Sequence, residues 1–405
     1  MNLTVKKSSV LTAFLLAIAW LTSVLLDWYA ADVVMATCIL AMLSRKVNAK
    51  SSIELMFMVG FSVFIYFPAL VNGFLFETSF ALFYATAVIS FFFLHSVSGL
   101  EYRPPVRWSI KNFYFFLLSC VAVVGVSFFG DYAHYVLSPF VMFYALSLRP
   151  GRQLRNLLIF AIFFCTFLVY YFIGWGGFGR TVTFGILLVG VLYFMYASNI
   201  KVSKIAFTVL PIVGSLFLVG RKTAAISFDI EAAANDSAIG PYRLASTFVN
   251  ASAERGIDIS GFFDQVIFTL FIWVPRQIWP SKPFGFGYQW VVDNMADSFV
   301  DAGHSIASTF IGDHLYFFGW WGMLTAAAMA YGIARFCRFL YSMKLFSGFG
   351  VVIISCQMMV LVWGGMTSLS ARVASPLVAL APFLLLYAFR RLSHHRPSSH
   401  GASGN

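Results

Sequence analysis

Charge is scarce in this chain: Asp, Glu, Lys and Arg together make up 11% of the 405 residues, while 60% are hydrophobic. That balance excludes a water-soluble globular domain, in which roughly a quarter of residues are charged. Cysteine is sparse as well. All five, Cys38, Cys120, Cys165, Cys337 and Cys356, fall within apolar runs or at their ends, so none can staple a loop. No set of His, Cys and carboxylate residues has metal-ligand spacing, and neither a metal nor any other cofactor is expected. There is no internal repeat. A cleavable signal peptide is not expected either, because the apolar run after Lys6 and Lys7 lacks a small-residue cleavage site and leads into a second apolar segment.

Aromatic and aliphatic residues fill the space that charge leaves. Aromatics reach 19%, with 47 Phe, and mean hydropathy is +0.83. Apolar runs of roughly 16–25 residues recur, and a bilayer core needs about 20. The expected fold is all-α and polytopic, with about 12 transmembrane helices near 10–26, 28–43, 53–75, 78–96, 112–129, 133–148, 157–174, 180–197, 205–220, 309–334, 349–365 and 374–390. Residues 1–220 then carry nine helices, 221–308 form one long outer loop, 309–390 carry three more, and 391–405 form a disordered tail.

The net charge of +11 raises the question of a nucleic-acid partner, and the distribution of charge answers it. Alternate connections, taken as cytoplasmic together with both termini, hold 19 of the 27 Lys and Arg. Among acidic residues only Glu54 and Glu101 share that side. The excess is the positive-inside signature of a membrane protein, and no nucleic acid is required to explain it. The long loop then lies on the outer, non-cytoplasmic side of the membrane.

The middle of nearly every expected span is empty of charge, whereas ion-coupled transporters keep ionisable groups near the bilayer midplane. The segment between spans two and three, Ser44–Ser52, also lacks the Gly/Asp/Arg-rich pattern of major-facilitator carriers. Polar chemistry gathers instead at the outer face, which favours an enzyme. Within the long loop, Gly261–Trp279 is apolar but interrupted by Pro275, too short to cross and suited to a re-entrant or interfacial piece. Tyr288–Val300 is a candidate amphipathic helix. Between them, Val274–Pro283 sets Arg276 and Lys282 among prolines and aromatics. Proline restricts the backbone there, so both cations are held, and arginine suits forked contacts to phosphate. Two further outer cations stand in connections of their own: Arg180 follows a glycine-rich turn, and Arg372 lies in the hydroxyl-rich connection Met366–Ser375.

The element Pro275-Arg276-x-x-Trp279-Pro280-x-Lys282-Pro283 resembles the PR…P.KP element of Wzy-type O-antigen and oligosaccharide repeat-unit polymerases. Gly312-Asp313-His314-Leu315-Tyr316-Phe317-Phe318-Gly319-Trp320-Trp321-Gly322 is similar to the segment where that family's loop re-enters the membrane. Arg276 and Gly287 match a spaced Arg/Gly pattern of some members; the Arg180 turn offers no second copy. The likeness in residues covers about Pro275–Gly322.

The resemblance implies a fold like the C-type membrane glycosyltransferases. It also implies transfer of a growing glycan from undecaprenyl diphosphate to the non-reducing end of a new lipid-linked repeat unit. Membrane lipids, a chain-length regulator and a flippase are the implied partners. Negative charge grows on the diphosphate leaving group, and fixed cations oppose it most in the transition state. Arg276 is the first candidate, with Lys282 and Arg243 in support and Arg180 and Arg372 as helpers. The acceptor hydroxyl needs a proton acceptor. Asp313 leads there, followed by His304 and His314. Trp279 and Tyr288 are candidates for stacking on sugar faces. The alternatives are an O-antigen ligase using the same donor and a flippase or other transporter.

Overall fold

Helices are the only regular elements among the residues that the computed structural model describes, namely 18, 29–76, 80–101, 110–128, 133–174, 180–201, 239–295, 297, 306–342 and 349–394. The first part of the chain gives α1 (Tyr29–Lys46), α2 (Ser52–Phe61), α3 (Phe67–Phe76), α4 (Ala81–Val97), α5 (Ile110–Ser127), α6 (Ala133–Ser147), α7 (Gln153–Val169) and α8 (Arg180–Ala197). A π-helical turn, Ser62–Tyr66, joins α2 to α3 just ahead of Pro68, where a missing amide and a bulky ring disturb the helical ladder. The later part gives α9 (Gly240–Arg255), α10 (Ile259–Leu270), α11 (Phe286–Asn294), α12 (Thr309–Phe318), α13 (Gly322–Ser342) and α14 (Phe349–His394). Apart from residue 18, the expected spans at 10–26 and 205–220 lie outside the described residues.

Among the described residues, four segments are long and apolar enough to cross a membrane: Ser52–Phe74, Gln153–Ile173, Thr309–Ser342 and Gly350–Ala374. Several shorter apolar helices accompany them, Ala81–Val97 and Thr181–Ala197 among them. The chain is therefore a helical membrane protein. Its outward faces are apolar, as lipid requires: Leu154 is 83% exposed and Phe172 73%.

The first half of α14 is the central post, with Val351–Val362 buried against α2, α6 and α8. Small residues admit it closely. A Cβ at Gly60 would lie 3.1 Å from Met359 Cα, and one at Gly185 would lie 2.6 Å from the Cys356 carbonyl oxygen. Lipid tails are as apolar as leucine, so close backbone approach and dispersion drive such packing. The α6–α7 seam is aromatic: the Phe140 and Phe163 rings stack at 4.9 Å, and Tyr144 lies 4.1 Å from Phe163. The α1–α2 turn, the end of α4 and the later part of α13 are linked by side-chain hydrogen bonds. Asn48 Nδ2 donates to Glu101 Oε1 at 2.9 Å, and Arg338 of α13 donates to the Ser96 and Ser98 carbonyls at the end of α4. Those carbonyls have no partner within their own helix.

Two expected boundaries are corrected. The span at 309–334 is not one straight crossing. Gly319 takes φ 55°, ψ −141°, a conformation open essentially to glycine, and a 3-10 turn over Gly319–Trp321 follows. His314 Nδ1 then meets Thr325 Oγ1 at 2.9 Å and His314 Nε2 meets Met329 Sδ at 3.2 Å. Eleven residues of straight helix would separate 314 from 325 by about 16 Å, so α12 folds back on α13 as a helical hairpin. Ten residues long, α12 is too short to span alone. The hydroxyl-rich connection at 366–375 is likewise helical: α14 runs through it, broken only at Gly364 and Gly365, the latter at φ 70° and ψ −164°.

Replacing Gly185 with Leu should remove most folded protein, measured as the monodisperse fraction after detergent extraction. Gly332→Leu, where nothing lies within 4 Å of an added Cβ, should leave the yield unchanged. Equal yields would mean that the α8–α14 approach is not tight.

Candidate functional site

The loop between α10 and α11 is built around its two cations, and each binds the opposite leg. Arg276 Nη1 donates to the Lys282 carbonyl at 2.7 Å, and Nη2 donates to the Pro283 carbonyl at 3.0 Å. Its guanidinium also lies 3.8 Å over the Phe284 ring. In return, Lys282 Nζ donates to the Val274 carbonyl at 2.7 Å and to the Ile272 carbonyl at 3.4 Å. In a segment with no regular secondary structure, the cations supply donors to carbonyls of both legs of the loop. Lys282 is nearly buried, and burial together with the nearby Arg276 charge pulls its pKa below the usual lysine value. Trp279 Nε1 donates to Ser281 Oγ, and its ring meets Phe271 edge-on, so it stabilises the turn. Tyr288 packs against Phe284 with tilted rings, centroids 4.7 Å apart.

Beside this loop lies a cavity of about 380 Å³, within the size range of ligand sites. Arg276, Pro280–Phe284 and Phe286 form one side of its lining. Asp258, Gly261, Asp264 and Gln265 come from the start of α10, Gln289, Trp290 and Asp293 from α11, and Tyr316 and Phe317 from α12. Positions 261, 264 and 265 share a helix face because they are three and four residues apart. Asp258 caps α10, accepting from the Gly261 amide at 2.9 Å and from Ser260 Oγ at 3.1 Å. Asp293 accepts from Gln289 Nε2 at 2.9 Å.

Gln265 connects the cavity to the core. Its Oε1 accepts from the Phe286 amide at 2.7 Å, and its Nε2 donates to Thr367 Oγ1 and, at 3.5 Å, to Asp313 Oδ2. One buried carboxamide thus ties α10, the start of α11, α12 and the second half of α14. Asp313 lies behind it, buried and absent from the cavity lining. Its Oδ1 accepts from the His314 amide at 3.1 Å and stands 3.9 Å from His314 Nε2. The backbone around Asp313 is unusual. Thr309 opens α12 at φ 69°, rare for a β-branched residue, and a Cβ at Gly365 would lie 3.3 Å from Asp313 Oδ2.

The structure therefore brings Arg276 and Lys282 together at the cavity and sets Asp313 and His314 beneath it. Arg243, on α9, and Arg372, on the second half of α14, are partly buried and do not line the cavity. Arg180 opens α8, and His304 lies outside the described residues. Sequence reasoning did not assign roles to Asp258, Asp264, Gln265, Gln289 or Asp293. For Gln265 a signal existed, because a carboxamide in an apolar stretch must find partners when buried. Among the described residues no three His, Cys, Asp or Glu side chains converge as metal ligands. Comparisons with family models, curated proteins and solved structures return no match.

Gln265→Leu removes the partner of the Phe286 amide and of Thr367 together, at about 1–3 kcal/mol for each buried group left unpaired. The expected result is a lower unfolding midpoint and faster proteolysis within 271–285. Wild-type values for both would show that the carboxamide does not hold the loop.

Proposed function

We propose that the chain is a polymerase of bacterial surface polysaccharide, acting on lipid-linked repeat units at the periplasmic face of the inner membrane. The observation that carries this reading is the cavity of mixed polar and apolar lining mounted on an apolar helical frame, with Arg276 and Lys282 beside carboxylates and aromatic faces. A lipid-linked saccharide has that same division, an apolar tail and a polar head of sugar and diphosphate. The likeness of Pro275–Pro283 to the PR…P.KP element supports the same assignment.

In this reading the Arg276–Lys282 staple sets positive charge where the departing diphosphate gathers negative charge. Fixed charge of this kind needs no reorganisation during the reaction. Arg276 serves twice, as the brace of the loop and as the positive wall of the chamber. Trp290 and Tyr316 offer ring faces to sugars.

Deleting the gene should remove the surface glycolipid ladder and leave lipid A-core bearing a single repeat. Long polymer remaining on the lipid carrier, never joined to core, would instead make the protein a ligase. Absence of even one capped repeat, with lipid-linked units trapped inside, would make it a flippase. In the complemented strain, Arg276→Ala should abolish the ladder and Arg276→Lys should restore only part of it, because lysine cannot fork to two carbonyls. A full ladder with Arg276→Ala would remove Arg276 from the site.

A further inference from the structure

Of the three carboxylates lining the cavity, two are engaged: Asp258 caps its helix, and Asp293 is held by Gln289. Asp264 differs. Its side chain is exposed, it lines the same cavity as Arg276 and Lys282, and it makes no hydrogen bond or ion pair with any described residue. It is also mounted firmly. Asp264 directly precedes Gln265, whose bonds to Phe286, Thr367 and Asp313 fix this part of α10. A free carboxylate on a rigid helix, sharing a chamber with two braced cations, is arranged to receive a proton.

Resting on the polymerase reading above, we propose that Asp264, not the buried Asp313, is the general base that activates the acceptor sugar. The acceptor hydroxyl oxygen bonds to the anomeric carbon of the donor glycan as its proton passes to the Asp264 carboxylate. The bond from that carbon to the diphosphate oxygen breaks, and its electron pair leaves with the lipid diphosphate on the Arg276 side. The proton is afterwards released to water. Asp313 cannot take this part without displacement of Gln265, and its role is to hold the carboxamide and the broken α14 in place.

The test uses the full-length protein in nanodiscs, with lipid-linked single repeats extracted from a host lacking the gene as both donor and acceptor. Asp264→Asn should lower kcat by about 100-fold or more, the usual contribution of a general base, with KM and the unfolding midpoint little changed. Asp264→Glu should recover part of the rate. A rate for Asp264→Asn within about threefold of wild type, or a loss confined to KM, would overturn the assignment while leaving the polymerase reading intact. Wild-type protein that stays folded and monodisperse yet joins no repeats would overturn both.

Discussion

The carboxamide of Gln265 is the interaction on which this architecture turns. In an apolar environment an unpaired polar group is expensive, and Gln265 meets that demand by taking partners from three other segments: the Phe286 amide, Thr367 and Asp313. Each partner is itself a place where regular helix gives way. Phe286 begins α11 after the proline-rich loop, Thr367 follows the break at Gly364 and Gly365, and Asp313 sits in the short arm of the α12–α13 hairpin. Interrupted backbone at membrane depth is tolerated where protein surrounds it, and here one side chain joins the interruptions.

The loop beside it solves a related problem with charge. Its two cations face inward toward carbonyls across the turn, so the positive charge of the cavity wall is also what closes the loop. In the proposed reading, structural and functional duties coincide in Arg276 and Lys282. This is why charge alone, supplied by lysine at 276, is expected to be a poor substitute.

Much of the frame was legible in the sequence because lipid leaves few options. Apolar runs at 53–75, 78–96 and 180–197 correspond to α2–α3, α4 and α8 with shifts of a few residues at most. That Arg276 and Lys282 are held was legible too, but not what holds them, which is backbone carbonyls across the loop. The hairpin at Gly319 was not, because an apolar stretch reads the same whether it crosses or turns back. Nor was the helical course of Met366–Ser375, since hydroxyls and Arg372 resemble a connection until the helix is seen to continue. The unpaired carboxylate of the cavity was hidden for a different reason. Asp313 stood in a motif and Asp264 in an anonymous apolar run, and only the tertiary structure tells which of them lines a cavity.

The central claim is that this cavity receives the saccharide of a lipid-linked repeat unit. Its most direct test places a photoreactive benzophenone side chain at Gln289 or at Ser281, both in the lining, and at Leu154, exposed at the start of α7 and outside the lining. After illumination in cells that make the repeat unit, adducts carrying sugar should form at 281 and 289 and be missing at 154. Sugar-free adducts at all three positions, or sugar captured only at 154, would contradict the account.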